Sequence, residues 1–297
     1  PAGSSITVNQ DASIANNLEV CSCYIAAGKT LTVPENVTLT VNEKIVVAAD
    51  GKLVVKNNGS LLQESDGIFT GAANSFVMER TSAPMKNFDF TYWSSPVAGQ
   101  TFVKLSPNTL SDKYMSYTGA GWKVEATSAV MKPGIGYIIR TPKAGLWGNG
   151  ENVVFPYYQG VKFIGKPNNG PVTGEAVAAG KFYLIGNPYP SALNADELLF
   201  NNTNNSNILN GTIYFWTHNT AIQQSGSKYI YKSDDYASYN KTGGVRASTG
   251  AERPSGFIAA GQSFFGSAKA SGTIQFNNSM RVSGKNNQFF KPGKTAK

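Results

Sequence analysis

The sequence predicts an all-β protein, a short β-solenoid followed by an aromatic-rich, internally duplicated β-sandwich-like region. Charged residues make up only 15% of the 297 residues, and polarity comes instead from Asn, Ser, Thr and 31 glycines. This composition suits short strands and tight turns, whereas amphipathic helices usually carry Lys and Glu on their outer faces. Two internal repeats, one short and aliphatic and one long and aromatic, divide the chain into residues 1–87 and 88–297.

A short repeat over residues 24–63 predicts the solenoid. Apolar and polar residues alternate within each phrase, and the apolar anchors are Leu31, Leu39, Ile45, Leu53 and Leu61. Asp-Gly and Asn-Gly pairs at 50–51 and 58–59 supply turns between strands. The pattern fits either a meander of hairpins or a parallel solenoid with stacked rungs. We favour the solenoid because like residues would then lie above one another, with Phe76–Arg80 as the last strand of the stack.

A longer repeat begins at Phe88, where aromatic strands are joined by loops of Gly, Asn and Pro. Four pieces recur in the same order, which predicts two copies of one β unit over residues 88–165 and 181–283. The matched pieces are 90–96 with 182–188, 113–117 with 212–216, 133–139 with 258–265, and 152–155 with 273–276. In the second copy we predict a helix over 194–200, capped by Asn194, and an Asn-rich turn over 201–211.

Residues that could carry catalysis are scarce, so we predict no enzyme. His218 is the only histidine, which leaves no Ser-His-Asp partners to name and too few ligands for zinc. Cys21 and Cys23 are too close for an unstrained disulfide, so we interpret them as free thiols on a strand. Neighbouring side chains on a helix or strand point in different directions, so the adjacent acids Asp196-Glu197 and Asp234-Asp235 would not share a catalytic site. The sequence contains no nucleophile elbow and no phosphate-binding glycine loop. No cofactor is predicted, because calcium at Asp234 and Asp235 would need a loop motif that the sequence lacks.

Charge and hydropathy exclude two classes of partner. The net charge is +8 and the sequence pI is near 9.3. No run of Lys or Arg exceeds two residues, so we interpret the charge as scattered and predict no nucleic-acid binding. No stretch approaches the roughly 18 apolar residues of a membrane-spanning helix, and we predict no transmembrane segment.

Aromatic residues are the one class abundant enough to carry a function. Exposed rings stack on the apolar faces of sugars, and a sugar-binding module should expose at least two coplanar rings in one groove. Trp93 and Trp216 lie within strand patterns and are predicted to be core. Trp122 and Trp147 lie in glycine-rich, loop-like contexts where a ring could project toward a ligand, and packing of the loop is the competing interpretation for both. The candidate ligand-binding residues are Trp122, Trp147, Tyr157 and Tyr158.

Several motifs carry a resemblance to a known group of proteins. They include Tyr92–Val97, Ile185–Ser191, Gly261–Phe265 and Phe276–Arg281. With them, nearly all of the chain resembles a region of large secreted or cell-surface flavobacterial (Bacteroidetes) proteins that precedes a C-terminal type IX secretion sorting domain. The resemblance implies export by the type IX machinery and a secreted or cell-surface location. It brings no catalytic residues with it.

Two functions are therefore expected. The first is a non-catalytic adhesion or structural module, whose partners are an extracellular surface or glycan, neighbouring domains, or copies of the same protein. The alternative is a carbohydrate-binding module accessory to a secreted glycan-degrading enzyme. A hydrolase with an unrecognised site is a distant third.

Overall fold

The first part of the chain forms a parallel β-solenoid. The computed structural model describes residues 3–226, 228–250 and 252–287. Each of about three turns has three sides, and strands on the same side pair into parallel sheets. The first sheet contains β1 (Ile6–Val8), β4 (Cys23–Ile25), β7 (Ile45–Val47) and β10 (Phe69–Thr70). The second contains β2 (Ala12–Ser13), β5 (Thr30–Val33), β8 (Lys52–Val55) and β11 (Phe76–Thr81). The third contains β3 (Leu18–Val20), β6 (Thr38–Val41) and β9 (Ser60–Gln63). The solenoid prediction is confirmed, and the meander of hairpins is wrong.

One turn of the solenoid spans three phrases of the sequence repeat. Leu31 pairs with Leu53, and Leu39 pairs with Leu61, so stacked residues recur every 22 residues. The anchors six to eight residues apart lie on successive sides of one turn. Their side chains point inward, because alternation along a strand sends every second residue to the same face.

The inward side chains form a core whose packing can be tested at one methyl group. Ile45 is fully buried, whereas Ile68 is 70% exposed. We expect Ile45→Val to lower the free energy of unfolding by about 0.5–1.5 kcal/mol, since a core cannot refill the lost volume. The same change at Ile68 should cost less than about 0.5 kcal/mol. Urea denaturation of both variants measures the difference, and equal losses would contradict a stacked core at Ile45.

Beyond the solenoid, two antiparallel sheets share one strand order. The first sheet runs β12 (Phe90–Trp93), β15 (Tyr137–Arg140), β13 (Tyr114–Tyr117), β14 (Trp122–Val124). The second runs β20 (Phe182–Gly186), β28 (Ser263–Ala268), β22 (Leu209–Trp216), β25 (Tyr236–Asn240), β26 (Gly243–Val245). The first three matched pieces thus occupy the same places in both sheets. The strand registers can be compared at Phe90 and its counterpart Phe182. Phe90 pairs with Arg140 and Phe182 pairs with Ser267, so Arg140 and Ser267 occupy corresponding positions in the two sheets.

Shorter elements complete the fold. These are α1 (Phe102–Leu105), the hairpin β16 (Gly145–Leu146) and β17 (Asn152–Val153), β18 (Gly160–Ile164), β19 (Val172–Val177) and β21 (Ala192–Asn194). They continue with α2 (Thr203–Ile208), the hairpin β23 (Gln223–Ser225) and β24 (Lys228–Ile230), β27 (Phe257–Ile258), β29 (Gly272–Phe276) and β30 (Arg281–Val282). Strands β27, β21 and β30 form a small sheet.

The fourth matched piece differs from the prediction. Residues 152–155 contribute only β17, whereas the strand that corresponds to β29 is β18. β18 pairs with β11 and β29 pairs with β19, so each last strand pairs with a strand that precedes its sheet. Residues 152–155 resemble residues 273–276 over only four positions, and so short a similarity does not determine which strand each segment pairs with. β11 therefore belongs both to the solenoid, as predicted, and to the antiparallel region.

The Asn-rich stretch is helical where we expected a turn. The predicted helix begins at Ala195, where the Asn194 side chain accepts a hydrogen bond from the Asp196 N–H (2.9 Å). It continues as a π-helical turn over Glu197–Asn201, and α2 follows it. The Asn202 side chain caps α2 by accepting a hydrogen bond from the backbone N–H of Asn205 (2.9 Å). The buried Asn205 side chain then bonds to the backbone of Gln275 on β29. The turn prediction is wrong because these Asn side chains supply a cap and a docking contact.

The joint between solenoid and sheets is centred on Arg281. This buried guanidinium lies 4.8 Å from the Tyr189 ring centroid. It donates to the carbonyl oxygens of Leu61 (2.8 Å) and Gln63 (3.2 Å) and to the side-chain oxygens of Ser191 (2.9 Å), Asn169 (2.7 Å) and Asn278 (3.0 Å). Burial lowers the pKa of Arg281 to about 10, which leaves it charged at neutral pH. Two distinctive motifs, Ile185–Ser191 and Phe276–Arg281, thus meet at a structural joint.

The two sheets meet at a crossing with approximate twofold symmetry. The Ser94 N–H donates to the Gly261 carbonyl (2.9 Å), and the Gly186 N–H donates to the Gly134 carbonyl (3.1 Å). Ser94 corresponds to Gly186 in the repeat, and Gly134 corresponds to Gly261. Both acceptor glycines have positive φ, 75° and 76°. Matching residues of the two copies therefore make matching contacts.

Candidate functional site: an aromatic groove lined by both sheets

Side chains of both sheets line a groove made of two adjoining hollows. Their volumes are about 630 Å³ and 380 Å³, and they share Ser233 and Tyr236. We call this feature the aromatic groove. Its ring-bearing residues are Phe90, Tyr92, Tyr117, Trp122, Phe182, Tyr214, Trp216, Tyr231, Tyr236 and Phe265. A cavity of this size and composition is typical of small-ligand sites.

Phe265 is the centre of the groove's ring packing. Its ring lies 5.2 Å from that of Tyr117 and 5.8 Å from that of Trp122, at angles of 87° and 72°. Tyr92 and Tyr236 also meet Phe265 edge to face. This geometry is favoured because the positive ring edge faces the negative ring face. One residue of the second copy therefore joins four rings of both sheets into one wall.

The exposed rings form a cleft, and they do not form a flat platform. Trp122, Phe182 and Tyr231 are 43%, 47% and 38% exposed. The neighbours of Phe182 and Tyr231 are tilted by 54° to 64°. Among the ring contacts of the described residues, Tyr92 and Trp216 are nearly parallel (10°), but both are buried. The expected pair of exposed coplanar rings is thus replaced by walls of tilted rings over a buried floor.

The two hollows are related by the internal duplication. Phe90, Met115 and Ile138 line the first hollow, and their counterparts Phe182, Tyr214 and Phe265 line the second. The match follows from strand register, since β12 pairs with β15 as β20 pairs with β28. Each copy therefore contributes one comparable half of the groove.

Positive charge is confined to the first hollow. Lys113, Arg140 and Lys232 line it, and no acidic residue is among its lining residues. The lining of the second hollow has no charged residue. Lys113 pairs with exposed Asp112 (2.5 Å), and this hydrogen bond lowers the pKa of the Asp112 carboxyl. Arg140 is buried with its guanidinium 5.7 Å from the Phe88 ring centroid, and Lys232 is exposed.

Tyrosine hydroxyls give the apolar groove a polar component. The hydroxyls of Tyr92 and Tyr236 are in hydrogen-bond contact. Burial raises the pKa of Tyr236 to about 12 and raises that of Tyr92 as well. Both side chains therefore stay neutral near pH 7 and can donate or accept a hydrogen bond.

The floor residue Trp216 is held from behind by a buried acid. The Trp216 Nε1–H donates to Asp89 Oδ1 (3.1 Å), and His218 Nδ1 lies 2.6 Å from Asp89 Oδ2. His218 Nδ1 also lies 3.1 Å from Trp216 Nε1, so these three side chains form one buried cluster. His218 is buried at a left-handed turn with φ 59°. Its contacts assign it to the support of the groove.

The four sequence candidates are not brought together. Trp122 lines the groove, although it lies on β14 and not in the loop-like context predicted for it. Trp147 lies beside the β16–β17 hairpin and donates from Nε1 to the Lys143 carbonyl (3.0 Å). Tyr157 contacts Glu151 and lines a separate hollow. Tyr158 is exposed outside the two groove hollows.

Sequence reasoning missed most of the groove. Phe265, Tyr117 and Phe182 lie within strands and were treated only as parts of the repeat. Trp93 and Trp216 are buried, as expected for strand residues, yet Trp216 also forms the groove floor. The signal that could have found the site is the pairing of aromatic positions between the two copies.

Other candidate chemistry is sparse in the described part of the chain. Among the described residues, no group of three or more His, Cys, Asp or Glu could hold a metal ion. The buried Asp235 carboxylate is occupied by the hydroxyls of Thr220 and Thr249. Both cysteines are free, but only Cys23 lies on a strand, where burial raises its thiol pKa to about 12.

Comparison with known proteins gives one family. A family model matches residues 3–297, and its description is a domain of unknown function, DUF8693. The chain belongs to the DUF8693 family. The DUF8693 match covers the solenoid, both sheets and the aromatic groove. No curated protein and no solved structure matches the chain. Within its described residues, no helix is both long and apolar enough to cross a membrane.

Proposed function

We propose that this DUF8693 chain is a non-catalytic module of a secreted or cell-surface protein, which adheres to a surface by holding a carbohydrate in the aromatic groove. The observation that carries the proposal is the groove itself, with three exposed rings above a floor of buried rings. Large exposed aromatic surfaces of this kind mark interaction sites in folded proteins.

The chemistry of the groove supports a sugar over a purely apolar ligand. A sugar ring has apolar C–H faces and a rim of hydroxyls, so it needs both aromatic rings and hydrogen-bonding groups. The groove offers rings from both copies together with the hydroxyls of Ser233 and Tyr236. A wholly apolar ligand would desolvate these polar groups without offering them a hydrogen bond. Because the groove does not present the expected pair of exposed coplanar rings, a bound glycan chain would lie between the tilted walls and not on a flat platform.

The resemblance supports the setting of the proposal. Type IX export would deliver the module to the cell surface or the medium, where glycan-bearing surfaces are found. There the solenoid would act as a rigid support joined to the sheets at Arg281. The same groove would serve a module accessory to a glycan-degrading enzyme, and the domain composition of the full-length protein distinguishes the two.

Substitution of Trp122 tests the proposal. We expect the wild-type chain to bind members of an oligosaccharide array, and Trp122→Ala to weaken calorimetric binding of the best of them by about tenfold or more. About 1.4 kcal/mol corresponds to tenfold, within reach of one lost stacking contact. Trp147→Ala is the matched control, because Trp147 lies outside the groove, and its binding should be unchanged.

Two results would contradict the groove proposal. One is the absence of binding to any oligosaccharide on the array by the folded wild-type chain. The other is binding that Trp122→Ala leaves intact while circular dichroism shows both variants folded.

A further inference from the structure

We infer that the first hollow of the aromatic groove selects an anionic sugar unit, bearing a carboxylate or sulfate, while the second hollow takes a neutral one. This inference rests on the proposed function and deepens it. It assigns chemistry and direction to a bound glycan, with its acidic unit at the first-copy end.

The charges of the first hollow carry the inference. Lys113, Arg140 and Lys232 all line it, and its lining includes no carboxylate. In the described part of the chain, no carboxylate lies within 4 Å of the Arg140 guanidinium or the Lys232 ammonium. Asp112 pairs with Lys113 and also lies within electrostatic range of Arg140, so one carboxylate offsets one of the three positive charges.

Arg140 is placed to recognise a planar anion. Its residue is buried on β15, and its guanidinium lies against the Phe88 ring, which limits its conformations. A guanidinium presents paired N–H donors in a fixed fork that matches the two oxygens of a carboxylate or sulfate. Such a group is costly to desolvate without an anionic partner, and an acidic sugar would supply one.

The internal duplication supplies the comparison that makes the charge specific. The residue that matches Arg140 in the second copy is Ser267, and the residue that matches Lys113 is Thr212. The two hollows thus have matching aromatic positions but differ in charge. Lys232 belongs to the second copy but lines the first hollow, so all three charges lie in one hollow. A general need for solubility would place charge in both hollows, whereas a ligand with one acidic end requires it in one.

The test compares each acidic sugar with its own neutral form. Calorimetry would use tetrasaccharides of galacturonate, mannuronate and glucuronate, each beside its methyl ester, and a sulfated galactan tetrasaccharide beside the unsulfated one. We expect at least one acidic or sulfated probe to bind ten times more tightly than its uncharged counterpart. Raised salt should weaken the charged probe and leave the ester little changed, because ions screen charge pairs.

Variants locate the charge that recognises the anion. Arg140→Ser installs the second-copy residue, and Lys232→Gln changes an exposed side chain without removing packing. Each should weaken binding of the acidic probe by about tenfold and leave the ester unchanged. Lys162→Gln, on β18 outside the groove, is the matched control and should behave like wild type. Should Arg140→Ser fold poorly, Lys232→Gln still gives a decisive result.

The outcomes separate the inference from the proposed function. Equal binding of acid and ester, both weakened by Trp122→Ala, would overturn the anionic preference and keep glycan binding. Failure of every sugar would overturn both. Displacement of the bound sugar by an acidic peptide of equal charge would assign the first hollow to a protein ligand and also overturn the inference.

Discussion

Replacing Arg281 with methionine is expected to lower the free energy of unfolding by about 3–5 kcal/mol. The guanidinium satisfies the carbonyl oxygens of Leu61 and Gln63 and three side-chain oxygens, all within the joint. Methionine fills part of the space but donates nothing, and each buried acceptor left unpaired costs about 1–3 kcal/mol. Urea denaturation followed by tryptophan fluorescence measures the loss.

Two further variants make the Arg281 prediction specific. Arg246→Met changes the same residue type at an exposed position and should shift stability by less than about 0.5 kcal/mol. Arg281→Lys keeps the charge but loses the planar fork, so its stability should lie between the wild type and Arg281→Met. Wild-type stability in Arg281→Met would show that the joint does not depend on this side chain.

Adding one methyl group at Gly186 is expected to cost about 3 kcal/mol, the upper end for an overpacked core. A Cβ at Gly186 would overlap the Ser94 side chain and approach the Ile135 carbonyl oxygen to 2.8 Å. Ser94 is the counterpart of Gly186 in the other copy. Ser94 and Gly186 meet where the two sheets cross, so the Ser94 side chain leaves no room for a side chain at position 186.

A double-mutant cycle tests this pairing. Gly160→Ala adds the same methyl group where nothing lies within 4 Å and should cost little. Ser94→Gly, combined with Gly186→Ala, should recover at least about 1 kcal/mol of the loss, because the two sites share one space. Additive effects in thermal and urea unfolding would rule out a direct clash between Ser94 and the new methyl group.

The solenoid was predictable because its signal is local. Alternation within each phrase determines which side chains point inward, and Asp-Gly and Asn-Gly pairs mark the corners. Similar residues recur every six to eight residues and also every 22 residues, the length of one solenoid turn. The sequence alone therefore could not decide whether Leu31 stacks on Leu39 or on Leu53. Backbone pairing decides between them, and pairing is a long-range property.

The groove was less predictable because its residues are far apart in the chain. Trp122 was found from its glycine-rich context, while Phe265 lies in a strand that looks like ordinary core. Tyr117 and Phe265 meet only because the two sheets face each other. No local sequence pattern indicates a contact between residues so far apart in the chain. The helix at Thr203–Ile208 was missed for a related reason. The buried Asn205 side chain is satisfied by hydrogen bonds to the backbone of Gln275, which lies on a strand distant in the sequence.

The double role of β11 has a mechanical consequence. This strand pairs in parallel with β8 and antiparallel with β18, and one continuous core runs from Val20 to Trp93. A tensile load applied at the sheets would reach the solenoid as shear along backbone hydrogen bonds, with no swivel at β11 to absorb it. Under the adhesive function that we propose, the solenoid and the first sheet would therefore transmit force as one stiff unit.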